Sequence, residues 1–342
     1  MKGMGAAVNR IDQAILRQEK ILIYGDYDVD GTTSVALVHT FLKDFYPNID
    51  YYIPNRYLEG YGISQQGIDF AASNGFTLII ALDCGIKSVG LIDYASEKGV
   101  DFVICDHHLP GETVPAAAAV LDPKQDGCDY PYKELSGCGI GFKLMQALCR
   151  HFNIPEEKLF QLIDLVAVSI ASDLVPITDE NRTLAALGLK KLNSNPLPGL
   201  LALKEVSNLR NDLNISDLVF YLGPRINAAG RMDDAKKAVR LLISGKGVES
   251  REHATILHDH NAERKGLDQE ITEEALALLQ ADPAEETRRT TVLMQPHWHK
   301  GVIGIVASRL IENYYRPTIV LAESDGVLSG SARSVKGFNI HE

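Results

Sequence analysis

The chain has 342 residues, 45% of them hydrophobic, which is enough to build a core in each of two domains and excludes a low-complexity chain. Its net charge of −11 argues against a surface that is basic throughout, although a local basic groove could still bind nucleic acid. Residues 1–20 do not resemble a signal peptide and no run reaches the roughly 18 apolar residues of a membrane span, so no membrane partner is expected.

Short β-rich runs alternate with helical patterns in the first half of the chain. The strands are predicted at ILIY (21–24), IDYYI (49–53), FTLIIAL (76–82) and VDFVIC (100–105), with helices near 34–45, 64–73 and 88–98. Strands separated by helices of this length indicate a parallel sheet with right-handed crossovers. Further helices are predicted at 140–152 and 156–171, the second apolar on nearly all sides and therefore buried.

After a turn-rich segment at 193–200, helical patterns resume, and a long polar helix is predicted over 249–281. We interpret three histidines of that helix as part of its solvated face: His253, His258 and His260. An αβ pattern then restarts with TVLMQ (291–295), a helix at 304–314 and TIVLAE (318–323). We expect an α/β protein divided into a parallel-sheet domain (1–200), a helical extension (201–248), a connecting helix (249–285) and a partial second α/β domain (286–342).

Acidic and imidazole residues follow three of the predicted strands and one apolar helix. They are Asp26, Asp28 and Asp30 after the first strand, Asp83 after the third, Asp106, His107 and His108 after the fourth, and Asp173 at the end of the apolar segment. Open α/β sheets place their sites at the carboxyl ends of the strands. An aspartate before a turn is often only a helix cap, but four separate segments that converge on one edge favour a site.

Three neighbouring carboxylates repel one another unless they are protonated or share a cation. Oxygen ligands with one or two imidazoles suit Mn²⁺ or Mg²⁺ better than metals that prefer thiolates. Two such ions about 3.5–4 Å apart would neutralise the carboxylates, activate a water and stabilise an in-line displacement at phosphorus. The pattern therefore predicts phosphoester hydrolysis.

Two short motifs allow other interpretations. DVDGTT (28–33) fits the haloacid-dehalogenase signature, with Asp28 as nucleophile and Asp30 as general acid. That nucleophile normally follows its strand directly, whereas residues 25–27 intervene here, and the DHH triplet would have no role. GCGIG (137–141) lacks the spacing of a dinucleotide-binding loop and is better explained as a glycine-rich helix start.

Four motifs occur along the chain in this order: DYDVDG, ALDCG, CDHH and ASDLVP. In their order and spacing, the chain resembles the DHH phosphoesterase superfamily, and most closely the bacterial RecJ single-strand-specific exonucleases. Supporting stretches are IPNRYLEGYGIS (53–64), GPRINAAGRMDD (223–234) and WHKGVIGIVASRL (298–310). The resemblance implies a DHH domain followed by a DHHA1-like substrate-binding domain. The glycine- and histidine-rich part of that domain and an OB domain are missing, so we expect a C-terminally incomplete core.

The resemblance also implies a set of metal ligands. One ion would be held by Asp28 and Asp83, and the other by Asp30, Asp83, His107 and Asp173. Asp26 is either a ligand or a support for one. Tyr24 stands where many relatives have a histidine, which puts the strength of the first site in question.

Catalytic and substrate-binding roles are implied in the same way. Asp106 would orient a neighbouring histidine, and His108 would face the scissile phosphate and stabilise charge or assist the leaving oxygen. Asp83, the shared metal ligand, belongs to the same catalytic set. Arg225, Asn227 and Arg231 would reach substrate phosphates, and their small-residue loop would let guanidinium groups grip phosphate. The alternative is a helix-terminus pair that binds carbonyls or Asp233. A polar loop that binds the strand is expected at Ser329, Ser331, Arg333 and Lys336, while Arg56 and Tyr61 either line the cleft or pack.

We therefore expect a two-metal exonuclease that digests single-stranded DNA from the 5′ end for DNA repair and recombination, with Mn²⁺ preferred or Mg²⁺. Five cysteines without a CxxC pair indicate free thiols in a reducing cytoplasm. Single-strand-binding protein or a helicase would be partners. The alternatives are a DHH-family oligoribonuclease or cyclic-dinucleotide phosphodiesterase, a non-catalytic DHH-fold nucleic-acid-binding module, and a dehalogenase-type phosphatase that uses Asp28.

Overall fold

The structure is a computed structural model that describes residues 1–282, 287–324 and 326–340. The chain forms two compact units, of which the first spans Met1–His258 and the second begins at Asp259. The boundary expected between residues 285 and 286 lies outside the described residues. Within those residues, no helix has both the length and the apolar character needed to cross a membrane.

A five-stranded parallel sheet forms the centre of the first unit. Its strands are β1 (Lys20–Gly25), β2 (Ile49–Tyr52), β3 (Phe76–Leu82), β4 (Asp101–Cys105) and β5 (Ala119–Leu121). They lie in the order β2-β1-β3-β4-β5, and every neighbouring pair is parallel. The first four strands confirm the predicted runs and the parallel sheet. β5 was not predicted because three residues are too few to show a period.

Both faces of this sheet are covered, which explains why its strands are almost uninterrupted apolar runs. In β1, Ile21 and Ile23 join one buried cluster, while Leu22 and Tyr24 join the cluster on the opposite face. The same alternation continues in the neighbouring strands. In β1, β3 and β4, charged side chains are therefore confined to the ends of the strands, where the chain turns.

Helices of several lengths surround the sheet and extend the first unit. They are α1 (Met4–Leu16), α2 (Val29–Lys43), α3 (Gln65–Ser73), α4 (Val89–Glu97), α5 (Gly137–Phe152), α6 (Glu156–Phe160), α7 (Ile163–Ser172), α8 (Asp179–Ser194), α9 (Pro198–Val206), α10 (Ile215–Asp217), α11 (Gly223–Met232), α12 (Lys236–Ile243) and α13 (Val248–Gln280). A π-helical turn at Leu218–Leu222 joins α10 to α11. The division between the two units falls within α13.

Three predicted elements of the first unit need correction. The helix expected from residue 34 begins at Val29, because Asp28 caps it. The helix expected over 156–171 is two helices, α6 and α7. The prediction of a small-residue loop around residues 225–231 is wrong, since these residues lie in α11. A Cβ at Gly230 would lie 2.7 Å from the carbonyl oxygen of Tyr27, so the small residue there permits close packing of the helix.

Among its described residues, the second unit contains a three-stranded sheet and one helix besides the end of α13. Its elements are β6 (Thr291–Met294), α14 (Ile303–Tyr314), β7 (Thr318–Ser324) and β8 (Val327–Arg333). β6 and β7 are parallel, and β7 and β8 are antiparallel. The polar loop expected at 328–334 is therefore mainly strand β8. Gly330 packs under Leu321, whose Cδ2 atom would lie 2.4 Å from an added Cβ.

Candidate active site

The order of the strands fixes where a site can form in the first unit. β2 lies on one side of β1 and β3 lies on the other, so the direction of the connections reverses at β1. A crevice opens at such a switch point, outside the carboxyl ends of the strands. The acidic residues after β1, Asp83 after β3, and residues 106–108 after β4 all lie at this edge.

The start of α2 holds two carboxylates at the crevice. Asp28 is the N-cap, and its Oδ1 accepts a hydrogen bond from the Gly31 amide at 3.0 Å, as the helix-cap interpretation of this motif also expects. Asp30 lies in the first turn and is 1% exposed. A Cβ at Gly31 would lie 2.4 Å from the carbonyl oxygen of Asp26, so glycine is required for the chain to turn this tightly.

The carboxylate of Asp30 is held by two other helices. It accepts hydrogen bonds from the amides of Gly137 at 2.6 Å and Cys138 at 2.8 Å, at the N-terminus of α5. The hydroxyl of Ser169 in α7 donates to it at 2.7 Å. A helix N-terminus stabilises an anion, so Asp30 is fixed as a carboxylate with a defined direction. The sequence interpretation missed Gly137 and Ser169; the small residues at 137–141 were the available signal for the former.

His107 lies at the centre of the acidic residues. Its Nε2 atom is 3.2 Å from Oδ1 of Asp83, 3.6 Å from Oδ2 of Asp173 and 3.8 Å from Oδ2 of Asp30. Asp83 adopts a left-handed backbone conformation with φ of +60°, which is uncommon for a residue other than glycine. Such strain is found at functional sites, where the surrounding structure maintains it.

The buried polar atoms of this cluster fit a divalent cation. Among the described residues, Oδ1 of Asp83, Nε2 of His107 and Oδ2 of Asp26 are buried and make no hydrogen bond. Leaving such atoms without a partner costs about 1–3 kcal/mol each, which a bound cation would offset. Two overlapping sets have ligand atoms within 4.8 Å of one another: Asp83, His107 and His108, and Asp30, His107 and Asp173. Oxygen atoms with imidazole nitrogen suit Mn²⁺ or Mg²⁺.

The pKa values of the cluster show how strongly the carboxylates interact. Burial, and then repulsion from Asp28, raises the pKa of Asp26 to about 7. Burial and the charge of Asp30 raise the pKa of Asp173 to about 7. Burial also raises the pKa values of Asp28 and Asp83. A bound cation reverses these effects, because it favours the ionised carboxylates.

The two histidines of the DHH triplet are in different electrostatic states. Burial lowers the pKa of His107, which keeps its imidazole neutral and able to coordinate a metal. The pKa of His108 is raised, first by the hydrogen bond between its Nδ1 and Oδ1 of Asp106 at 2.7 Å. Burial alone would raise the pKa of Asp106, but its hydrogen bonds with His108 lower it. His108 is therefore the histidine of the pair that binds a proton more readily, and its Nε2 lies 3.2 Å from the hydroxyl of Tyr61.

Tyr24, where the resemblance implies a histidine, has a structural role. Its hydroxyl donates to the carbonyl of Gly62 at 2.9 Å and accepts from the amide of Ser64 at 3.1 Å. The amide of Gly62 donates in turn to Oδ1 of Asp26 at 3.2 Å. Tyr24 thus holds the segment around Gly62 against the crevice, and these partners of its hydroxyl lie outside the ligand set around His107.

The residues expected to bind substrate lie in different parts of the fold. Arg56 stacks over the ring of Tyr27, with 4.9 Å between its guanidinium carbon and the ring centroid. Asn227 is half-buried in α11, and the carbonyl of Arg231 accepts from the hydroxyl of Tyr57.

The polar residues expected near the C-terminus belong to the second unit. Arg333 donates to the hydroxyl of Ser331 at 2.9 Å, and both lie on β8. The Ser329 position is also on this strand, and Lys336 lies after it. In the first unit, Arg225 donates to the carbonyl of Tyr221, as the carbonyl-binding alternative for the α11 arginines expects, and its other partner is Nδ1 of His258. His253, His258 and His260 are all half-buried, so their assignment to a solvated face was wrong.

Comparisons with known proteins identify the family. The family model described as DHH family, N-terminal domain, matches residues 20–170, and the DHHA1 domain matches residues 289–342. A solved structure of exonuclease RecJ bound to manganese is 32% identical, with a TM-score of 0.89. The match covers all of this chain and 84% of that one. The chain belongs to the RecJ family.

Other RecJ proteins match over nearly the whole chain. RecJ of Bacillus subtilis (strain 168) is 43% identical over all of this chain and 43% of its own length. RecJ of Escherichia coli (strain K12) is 39% identical over all of this chain and 62% of its length. The chain thus spans about half the length of these curated relatives. A structure of RecJ from Thermus thermophilus in complex with Mn²⁺ is 30% identical with a TM-score of 0.85, and the match covers 98% of this chain and 48% of that one.

Proposed function

We propose that the chain is a two-metal-dependent exonuclease that hydrolyses phosphodiester bonds of single-stranded DNA from the 5′ end, in DNA repair and recombination. The observation that carries the proposal is the convergence of Asp30, Asp83 and Asp173 on Nε2 of His107. The substrate class is supported by the relatives, which are named single-stranded-DNA-specific exonucleases. Manganese or magnesium is supported by the RecJ structures in complex with Mn²⁺ and Mg²⁺.

The chain's own residues supply two adjoining metal positions in this proposal. Asp28 and Asp83 would hold one ion, and Asp30, Asp83, His107 and Asp173 would hold the other. Asp26 would support the first position, because its unpartnered Oδ2 is buried and its carboxylate lies close enough to that of Asp28 for the repulsion to raise its pKa. When bound, the ions would supply Lewis-acid activation of water and neutralise charge on the phosphate.

His108 would act on the phosphate that is being cleaved. Asp106 fixes the ring through Nδ1, so the Nε2 side faces outward and can donate a hydrogen bond. Because Asp106 favours the protonated imidazole, His108 would stabilise the developing charge or donate a proton to the leaving oxygen. Arg225, Asn227, Arg231, Ser331, Arg333 and Arg56 would contact the strand in this proposal.

The cellular context is part of the same proposal. All five cysteines are buried and unpaired, which is consistent with a reducing cytoplasm. A helicase or single-strand-binding protein would present the strand to the enzyme. Binding assays with each purified partner would test that part separately.

The test is digestion of a 3′-labelled single-stranded oligonucleotide with Mn²⁺, beside the same sequence as a blunt duplex. We expect stepwise shortening of the single strand alone. Asp83→Asn should lower kcat at least about a hundredfold, because it removes charge from the shared ligand while asparagine tolerates the left-handed conformation. Asp126→Asn, at an exposed position, is the matched control. Equal activity in the two variants, or no digestion by the unmodified chain, would contradict the proposal.

A further inference from the structure

Arg225 is a buried cation whose contacts leave its charge uncompensated. It is 7% exposed. Its Nη1 donates to the carbonyl of Tyr221 at 2.8 Å, and its Nε donates to Nδ1 of His258 at 3.2 Å. No carboxylate among the described residues pairs with it, and burial lowers its pKa. An isolated buried charge is unfavourable unless an anion or a hydrogen-bonding partner satisfies it.

Two other arginines of the chain are paired with carboxylates. Arg10 bonds the carboxylates of Glu19 and Asp101, each at 2.7 Å. Arg309 forms a two-point contact with Asp268, at 2.9 and 2.7 Å. In these two cases, a carboxylate neutralises an arginine that supports the fold. Arg225 is instead anchored by two neutral acceptors, which orient it and leave its charge in place.

The contact with His258 also decides which edge of the guanidinium stays free. The group has five N–H donors in a rigid plane. Two of them bond Tyr221 and His258, and the remaining donors make no hydrogen bond to a described residue. A free edge of a fixed guanidinium matches two oxygens of a phosphate. His258 must present an unprotonated Nδ1 to accept the bond, so its own ring is neutral in this arrangement.

We propose that His258 is a positioning residue for substrate binding: it fixes Arg225 through a neutral acceptor and keeps the guanidinium charge available for a phosphate of the bound strand. This inference rests on the proposed function, since the phosphate is that of single-stranded DNA. His258 acts through Arg225 and touches no reacting atom. A carboxylate at position 258 would give the same orientation but would remove the charge that phosphate requires.

Three replacements of nearly equal size separate these effects. His258→Leu offers Arg225 no acceptor, His258→Asn offers a neutral acceptor near the position of Nδ1, and His258→Asp offers a charged one. The readout is the affinity of the whole chain for a single-stranded oligonucleotide, measured by fluorescence anisotropy with Ca²⁺ so that binding does not depend on cleavage. KM and kcat with Mn²⁺, and the melting temperature, complete the set.

We expect the leucine and aspartate variants to bind the oligonucleotide about tenfold more weakly, the value of one charge-assisted contact. The asparagine variant should stay within about twofold of the unmodified chain. KM should rise with little change in kcat, because binding is altered and the metal ligands are not. His258→Asp should melt at or above the temperature of the unmodified chain, which excludes misfolding as the cause of its weaker binding.

Two results would overturn the inference: unchanged affinity in His258→Leu, or equal weakening in His258→Leu and His258→Asn. The control is His253→Leu, which replaces another half-buried histidine of the same helix, near Glu249. It should leave the affinity unchanged. Failure of the proposed function is distinguishable, because it would show as no digestion by the unmodified chain with Mn²⁺ whatever the affinities are.

Discussion

Gly137→Ala should impair the metal centre while the fold remains intact. An ideal Cβ at this position would lie 2.6 Å from Cβ of Asp83, 2.8 Å from its Oδ1 and 3.0 Å from its Cα. Carbon atoms in contact normally lie about 3.5–4.0 Å apart, so Asp83 would have to move by about 1 Å. Rotation of its side chain cannot relieve the contact, because the backbone Cα atom is also too close. The hydrogen bond from the Gly137 amide to the Asp30 carboxylate would remain.

A displacement of about 1 Å in a catalytic group can cost about a hundredfold in rate, or about 2.7 kcal/mol in the activation barrier. Overpacking should cost about 1–3 kcal/mol of stability as well. The assay is kcat on a single-stranded oligonucleotide with saturating Mn²⁺, together with the Mn²⁺ affinity from titration calorimetry and the melting temperature. Both kcat and metal affinity should fall, and the circular dichroism spectrum should not change.

Gly139→Ala is the matched control, two residues further along the same helix. Its added Cβ would meet Oγ of Ser136 at 3.4 Å and Leu135 at 3.5 Å, which are ordinary contacts. It should therefore keep the activity and the metal affinity of the unmodified chain. If Gly137→Ala also kept both, the start of α5 would not determine the position of Asp83, and this reasoning would be refuted.

Three further outcomes are expected. Because the pKa values of Asp26 and Asp173 rise from 3.8 to about 7 on folding, the metal-free fold favours their protonated forms, so its melting temperature in EDTA should fall as the pH rises from 5 to 7.5. Mn²⁺ should raise the melting temperature more at pH 7.5 than at pH 5, and a rise with pH in EDTA would contradict this explanation. Leu174→Gly should raise the free energy of unfolding in urea by about 0.5 kcal/mol. Leu174 has a left-handed backbone with φ of +58°, which glycine adopts without strain, and its side chain is 73% exposed. A loss of stability would show that the side chain supports the fold. Lys191→Met should lower that free energy by about 3 kcal/mol, because the buried Asp164 carboxylate loses its charged partner at 2.9 Å and, among the described residues, keeps only the amide of Leu197. A loss below about 1 kcal/mol would contradict a buried ion pair.

The parallel sheet and the edge that carries the site could be predicted from local patterns. Four apolar runs of strand length, separated by helical segments, determine a parallel sheet because its strands are covered on both faces. The acidic residues follow these runs directly, so the sheet brings Asp28, Asp83 and His107 to one edge once its strands are aligned. The helix start at 137–141 and the long polar helix could also be predicted from glycine content and period.

The prediction of secondary structure failed where small residues can serve either of two physical purposes. Residues 225–231 and 328–333 contain Gly, Ala and Ser, which are typical of loops. In the fold these residues allow close packing: Gly230 lies against Tyr27, and Gly330 lies under Leu321. Sequence alone does not distinguish flexibility from close approach, because both need the absence of a side chain.

The sequence by itself determined which chemical groups the chain brings to the sheet edge: carboxylates, two adjacent imidazoles, and an apolar framework behind them. Only the tertiary structure decided how these groups differ. Asp30 is fixed by the N-terminus of α5 and by Ser169, which lies 139 residues away in the chain. Burial lowers the pKa of His107, whereas Asp106 raises the pKa of His108. Such differences depend on distances between segments remote in sequence, and electrostatic energies at these distances are set by burial and geometry that composition does not contain.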